Sequence, residues 1–265
     1  MRYKEQLINN LTQALQRHDL LWQMVAAKLI VGQKEFMLGY LWWVIEPILS
    51  TLIYWLLFHI IFERGGPDYH IFILCGLIPF KAISSSINQS LTAISGNLSL
   101  LSQLSFPRIF LPISNILVNH VKLVFGFMVI FVAAAVYYKS VSFSVVWFVI
   151  PIIFQIIMLC GIAMLFSILG VYFADLINIV ELAIRGLLFL SPIFFSLDRI
   201  PLKYQNIYLI MNPLAPLILS YRDIFLYGVA PKPEYLLILL VESLLVFTIG
   251  YLVFCQHERK ILKCL

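Results

Sequence analysis

Four ionisable side chains stand inside stretches otherwise built for hydrocarbon: Glu46, Lys81, Lys122 and Glu242. A charge at the centre of a membrane helix costs ~3 kcal/mol on insertion scales, against about −0.3 to −0.6 kcal/mol for each strongly apolar residue. A span of about 20 such residues therefore still inserts with one charge aboard, provided the charge faces protein or water. Two acids and two bases permit internal pairing. Glu46 lies about 15 Å into its helix at ~1.5 Å per residue, and Lys81 sits at a similar depth in the next helix, running the other way. Lys122 is deep in the third apolar run and Glu242 in the outer half of the last. Three uses are open to these groups: a polar lining for a transport path, a structural bridge between helices, or a proton relay. No regular Asp/Glu/His chain accompanies them. Glu181 and Arg185 are spaced i,i+4 and are expected to satisfy each other.

Residues for covalent chemistry are missing. There is no G-x-x-x-x-G-K-[ST], so the chain is not expected to hydrolyse nucleotide itself. There is no G-x-S-x-G, H-E-x-x-H or cluster of loop aspartates. Cys75, Cys160 and Cys255 lie in apolar runs, Cys264 near the end, and none forms a C-x-x-C pair or a Cys/His cluster. They read as small apolar filler, with no metal or cofactor in this chain. The N-x-S matches at Asn88 and Asn97 fall in a span and an inner loop, where glycosylation has no access.

The elements that position these charges follow from composition. Of 265 residues, 62% are hydrophobic and only 12% charged, against about 45–50% and about 25% in soluble domains. The mean hydropathy is +0.97. These values describe an all-α integral membrane protein, and the net charge of +5 fits positive-inside topology better than nucleic-acid binding. Apolar runs cover Phe36–Phe62, His70–Leu91, Ile109–Tyr138, Val141–Phe173, Ile179–Leu197 and Tyr235–Cys255, which predicts six transmembrane helices. Between the last two, Asp198–Glu234 carries five prolines among short apolar pieces and reads as short re-entrant helices dipping into the outer leaflet. Irregular backbone at that depth needs cover from protein or a water cavity.

Residues 1–35 form a separate cytoplasmic segment, and 36–265 the transmembrane domain. Leu7, Ile8, Leu11 and Leu15 share one helical face, and Asp19 is a candidate N-cap for a second helix through Leu20, Trp22 and Val25. Such an amphipathic helix lies on membrane lipid or on a partner. The first ~20 residues lack the apolar core of a signal peptide. With six spans both termini share a side. Nine Lys and Arg fall on that side and six on the other, which places both termini in the cytoplasm.

Local motifs extend this reading. Leu38-Gly39-Tyr40-Leu41-Trp42-Trp43 followed by Glu46-Pro47, Gly76-Leu77-Ile78-Pro79-Phe80 and Phe106-Pro107-Arg108-Ile109-Phe110-Leu111-Pro112 resemble the openings of the first three spans in permeases of ABC polysaccharide exporters. Ser191-Pro192-Ile193, Leu197-Asp198, Ile200-Pro201 and Asn212-Pro213-Leu214-Ala215-Pro216 resemble the end of their fifth span and outer gate. The resemblance covers nearly the whole chain in order, and lies nearest to exporters of O-antigen and teichoic acid, with capsule exporters close behind.

It implies a homodimer in the bacterial inner membrane, two cytoplasmic ATP-binding subunits that hold ATP and Mg, and a lipid-linked polysaccharide as cargo. It also implies a coupling helix at about 97–106, with Leu98, Leu101, Leu104, Phe106 and Arg108 meeting the ATPase. The outer gate would lie at about 198–234, with Asp198, Asn212, Pro213 and Pro216. Tyr40, Trp42, Trp43, Glu46 and Lys81 are the candidates for the sugar path, with Tyr54 and Trp55 behind them, since an aromatic ring offers an apolar face and, in Tyr and Trp, a polar edge. Interfacial anchoring is the competing role for each ring. The chain departs from the pattern at Ala27, Gly32 and Gln33, at Ala174-Asp175, and at Lys81, where an apolar residue is usual. An exporter of small lipids or drugs on the same scaffold, a membrane enzyme of glycan assembly and a structural assembly subunit are the alternatives. The enzyme would need a catalytic acidic or His cluster at one membrane face, which is absent.

Overall fold

The computed structural model describes residues 16–34, 37–63, 65–103, 106–138, 143–173 and 175–264. All regular structure among them is helical. In chain order the helices are α1 (His18–Lys34), α2 (Gly39–Ile61), α3 (Tyr69–Leu91), α4 (Leu98–Gln103) and α5 (Phe110–Tyr138). They continue with α6 (Phe143–Tyr172), α7 (Leu176–Leu190), α8 (Leu202–Met211), α9 (Leu214–Phe225) and α10 (Pro233–Cys264). The amphipathic stretch Leu7–Leu15, Leu104 and Ala174 lie outside the described residues. Asp19 falls within the first turn of α1 rather than at its cap, where a carboxylate still complements the helix dipole.

Five helices among the described residues are long and apolar enough to cross a membrane: α2, α3, α5, α6 and α10 as far as His257. The predicted fifth run, Ile179–Leu197, overlaps the 15-residue α7, which begins before it at Leu176 and stops at Leu190. At ~1.5 Å per residue it is about 22 Å long, short of ~30 Å of hydrocarbon. Pro192 is the cause. Its ring disfavours helical geometry in the residue before it, and Ser191 is extended, at φ −87° and ψ 155°. The proline-rich stretch that follows holds two short helices, α8 and α9.

Packing centres on α3, most of whose residues are buried. Helices α2, α5, α6, α7 and α9 all contact it. The most extensive helix pair is α6 with α10, and two glycines explain it. A Cβ on Gly161 would lie 2.5 Å from the Val246 carbonyl oxygen, and one on Gly250 would overlap the backbone of Gly161. The two backbones therefore meet directly, as small residues allow in membranes. Helix α2 is the least covered span: only 11% of its apolar window is buried. It bends from a 3₁₀ turn at Gly39–Leu41 into an α-helix containing Pro47, and widens to a π-helical turn at Leu56–Ile61.

Candidate functional site

Three spans bring charge to one place. The Glu46 carboxylate of α2 pairs with the Lys81 ammonium of α3. Lys122 of α5 reaches the same region, with Nζ 6.0 Å from the centre of the Trp43 ring, and its charge couples to both Glu46 and Lys81. Trp43 is buried, at 8% exposure. It meets Tyr40 edge-on at 4.9 Å and Phe125 of α5 at 5.0 Å. The result is one carboxylate and two ammonium groups beside an aromatic wall. The pair is not sealed: the Glu46 side chain is 55% exposed and that of Lys81 36%. Nothing in the group is a nucleophile activated by a base, so it suits holding a polar or charged ligand rather than bond-making.

The structure separates the other predicted residues. Trp42 and Tyr40 turn largely outward, at 37% and 52% exposure, while Trp43 turns in. Tyr54 packs on Phe194 at 4.8 Å and Trp55 stacks on His59 at 5.3 Å. In the segment expected to couple to a partner, α4 follows a 3₁₀ turn at Ser95–Asn97. Leu98, Leu101 and Phe106 are half-buried against the chain's own core, and Arg108 is half-buried beside them in sequence. Part of the apolar face of α4 is thus used within the subunit. Glu242 is half-buried on α10 with one carboxylate oxygen lacking a hydrogen-bond partner. Arg185 and Glu181 pair as expected, at 3.6 Å. No group of three or more metal-ligating side chains exists among the described residues.

The predicted gate residues form a different assembly. Asp198 is exposed on the turn Leu197–Arg199. Asn212 is buried, and its side chain links three pieces of chain. Its Oδ1 accepts from the Leu214 N–H at the start of α9, at 3.1 Å. Its Nδ2 donates to the Leu190 carbonyl at 3.3 Å and to Ser191 Oγ at 3.2 Å. Pro213 and Pro216 flank the start of α9, where a missing N–H costs nothing.

Two cations held by internal oxygens escaped sequence reasoning, one buried and one half-buried. Arg222, in the proline-rich stretch, is 1% exposed. Its Nη2 donates to the Ile193 carbonyl at 2.9 Å and its Nη1 to that of Phe195 at 3.4 Å. Its guanidinium carbon lies 3.3 Å from the centre of the Phe72 ring on α3. Lys28 of α1 donates to Ser114 Oγ at 2.7 Å and Asn115 Oδ1 at 2.5 Å on α5. From there Asn115 donates to the Gln89 carbonyl, and Asn119 to Ser86 Oγ and Gln89 Oε1 on α3. Burial draws the Lys28 ammonium down to about 8 from 10.5. Its place one turn after Met24 and Val25 was the available signal: a lysine on the packed side of an apolar helix needs oxygens to meet it.

Comparison with known proteins bears on this geometry. The family model described as ABC-2 type transporter matches residues 20–226. The chain is 35% identical over 249 residues to the O-antigen export system permease protein RfbA of Klebsiella pneumoniae, covering 93% of this chain and 95% of that protein. It is 27% identical to the protein of the same name from Myxococcus xanthus, over 89% and 92% of the two chains. It is 30% identical to the polysialic acid transport protein KpsM of Escherichia coli, over 86% and 89%.

Proposed function

The chain belongs to the ABC-2 type transporter family, and from that premise we propose that it is the membrane subunit of an ATP-driven exporter carrying a lipid-linked, O-antigen-like polysaccharide outward from the cytoplasmic leaflet. Near full-length similarity to O-antigen export permeases carries this reading.

The working unit is two copies of the chain in the bacterial inner membrane, each bound to a cytoplasmic subunit that holds ATP and Mg. Supporting a second copy, α2 and α10 have only 11% and 22% of their apolar windows buried within one subunit, so most of their surface awaits lipid or protein. Helices α1 and α4 face the ATPases, which supply the energy that this chain, lacking a phosphate-binding loop, does not. Helix α7 with the turn after it completes a sixth crossing, and α8 and α9 dip into the outer leaflet as the gate. Both termini are then cytoplasmic. ATP-driven closure of the partners pushes α4 and α1, and shifts the population toward an arrangement with a wider path between the two copies. The rings of Tyr40 and Trp42 offer sugar-compatible faces along that path. No covalent step occurs on this chain.

Deleting the gene and locating the cell's surface glycan tests the reading. Full-length, lipid-linked glycan held inside the cell is the expected result. Normal surface glycan would overturn it.

A further inference from the structure

Three connections meet at one end of the helix bundle: residues 65–69 leading into α3, residues 194–199 after α7, and residues 226–227 after α9. Between them lies a pocket of about 330 Å³, near the lower end of the range for small-molecule sites, about 300–1,000 Å³. With both termini cytoplasmic, as proposed above, its mouth is on the outer face. Neither the charged cluster nor its aromatic wall lines it.

The floor is fixed before any ligand arrives. The Tyr69 hydroxyl donates to the Phe194 carbonyl at 2.9 Å, which joins the first connection to the second. Phe72 lies against the Arg222 guanidinium, and the same side chain donates to the Phe195 carbonyl. Gly65 lets the first connection fold over this floor. Its φ is +89°, and a Cβ there would overlap the Tyr69 ring, so only glycine fits. The enclosed Arg222 assembly is thus the base of an open cavity.

The rim is chemically mixed. Asp68 is half-buried and Arg199 exposed, and they contribute one charge of each sign. Ser196 adds a hydroxyl, and Tyr227 a ring that is 60% exposed. A small ion attracted by one of these charges is repelled by the other. An apolar molecule would strip water from both at a cost. A carboxylate accepts hydrogen bonds and a guanidinium donates them, so the two together suit hydroxyl groups, which do both. The aromatic rings suit an apolar C–H face. A neutral molecule with both features is a saccharide.

We infer that this pocket binds a short saccharide segment of the exported glycan on the outer side, with Asp68 and Arg199 on its hydroxyl groups and Tyr227 against a sugar face. The inference rests on the polysaccharide-exporter reading. It gives each subunit a holding site of its own, away from the charges within the spans. A segment held there resists slipping back while the ATPases reset.

The test uses the purified transporter with its ATPase partner in nanodiscs of phosphatidylcholine. The probes are a photoreactive oligosaccharide cut from the delipidated surface glycan of the same cells, and a photoreactive oligoethylene glycol of equal length. Labelling of residues 194–199 and 226–227 by the oligosaccharide is expected. Arg199→Ala should weaken it about tenfold, the scale of a lost hydrogen bond to a charged group. Tyr227→Ala should weaken it several-fold and Tyr227→Trp should preserve it, which a ring with a merely structural role would not require. Ser196→Trp should abolish it by filling the cavity.

Equal labelling by the glycol, or labelling unmoved by both Arg199→Ala and Tyr227→Ala, would overturn the proposal. Displacement of the oligosaccharide by phosphoethanolamine would assign the pocket to a zwitterionic lipid head group instead. Absence of labelling in a complex that exports glycan would refute the pocket alone. Labelling in a chain whose deletion leaves surface glycan normal would refute the cargo, and with it the role of the bound saccharide.

Discussion

The two cationic assemblies of this molecule answer burial in opposite ways. At the α7–α9 junction, Arg222 is enclosed at 1% exposure, and its terminal nitrogens are directed at the Ile193 and Phe195 carbonyls. A flat aromatic ring covers its face. The chain itself meets the terminal nitrogens, while Nε is buried without a hydrogen-bond partner, and the assembly ties α9 to the turn after α7. Between α2, α3 and α5 there are two lysines and one carboxylate, partly exposed and beside an open groove. Here one carboxylate faces two ammonium groups, and the pair stays partly open to its surroundings. Polar groups that use up their partners internally confer rigidity, whereas a surplus left beside a cavity is a place for a ligand.

The largest expected effect falls on the closed assembly. Arg222→Ala would orphan the buried Ile193 carbonyl, at a cost of about 1–3 kcal/mol, release the part-buried Phe195 carbonyl and remove the support under Phe72. The purified variant should unfold at clearly lower temperature in detergent, and export should fall in step with the amount of folded protein. An unchanged unfolding temperature would break the distinction drawn here.

The open cluster should respond differently. Glu46→Ala and Lys81→Ala should each impair export while leaving folded protein at normal levels, since neither side chain is sealed in the core. The double variant should be no worse than the poorer single one, as coupled neighbours behave. Additive losses in an export assay would show that the two residues act apart.

The smallest effect concerns Lys28, which shares features of both regions. Its folded pKa, at about 8, is below the ordinary 10.5. The docked helix therefore holds fewer protons than the free one between those values, so raising pH through that window favours docking of α1. Below about 8 the desolvation cost is constant. An NMR titration of the labelled lysine methylene should show a midpoint near 8, and a midpoint near that of solvent-exposed lysine would place Lys28 in water.

Much of the scaffold was legible from apolar runs, because a hydrocarbon-length segment leaves few alternatives. His70–Leu91 was expected and Tyr69–Leu91 is found; Ile109–Tyr138 became Phe110–Tyr138. The run Ile179–Leu197 is helical only as far as Leu190, because hydropathy continues through Ser191-Pro192 while the regular backbone does not. Depth counting brought Glu46 and Lys81 to one level, and they do pair. The approach of Lys122 depends on the rotation of three helices about their axes, which depth does not encode. Arg222 was invisible for a related reason: its stretch is proline-rich and short, so its burial comes from α3 and the Ile193 turn rather than from its neighbours in sequence.

The most direct measurement of the central claim is ATP-dependent transport in inside-out membrane vesicles that contain this chain, its ATPase partner and lipid-linked glycan. The glycan begins on the outer surface of such vesicles, where an added glycosidase digests it. On addition of ATP and Mg it should become protected, and the protection should vanish when this chain is omitted. Glycan that stays fully digestible while ATP is being hydrolysed by the assembled complex would contradict the account.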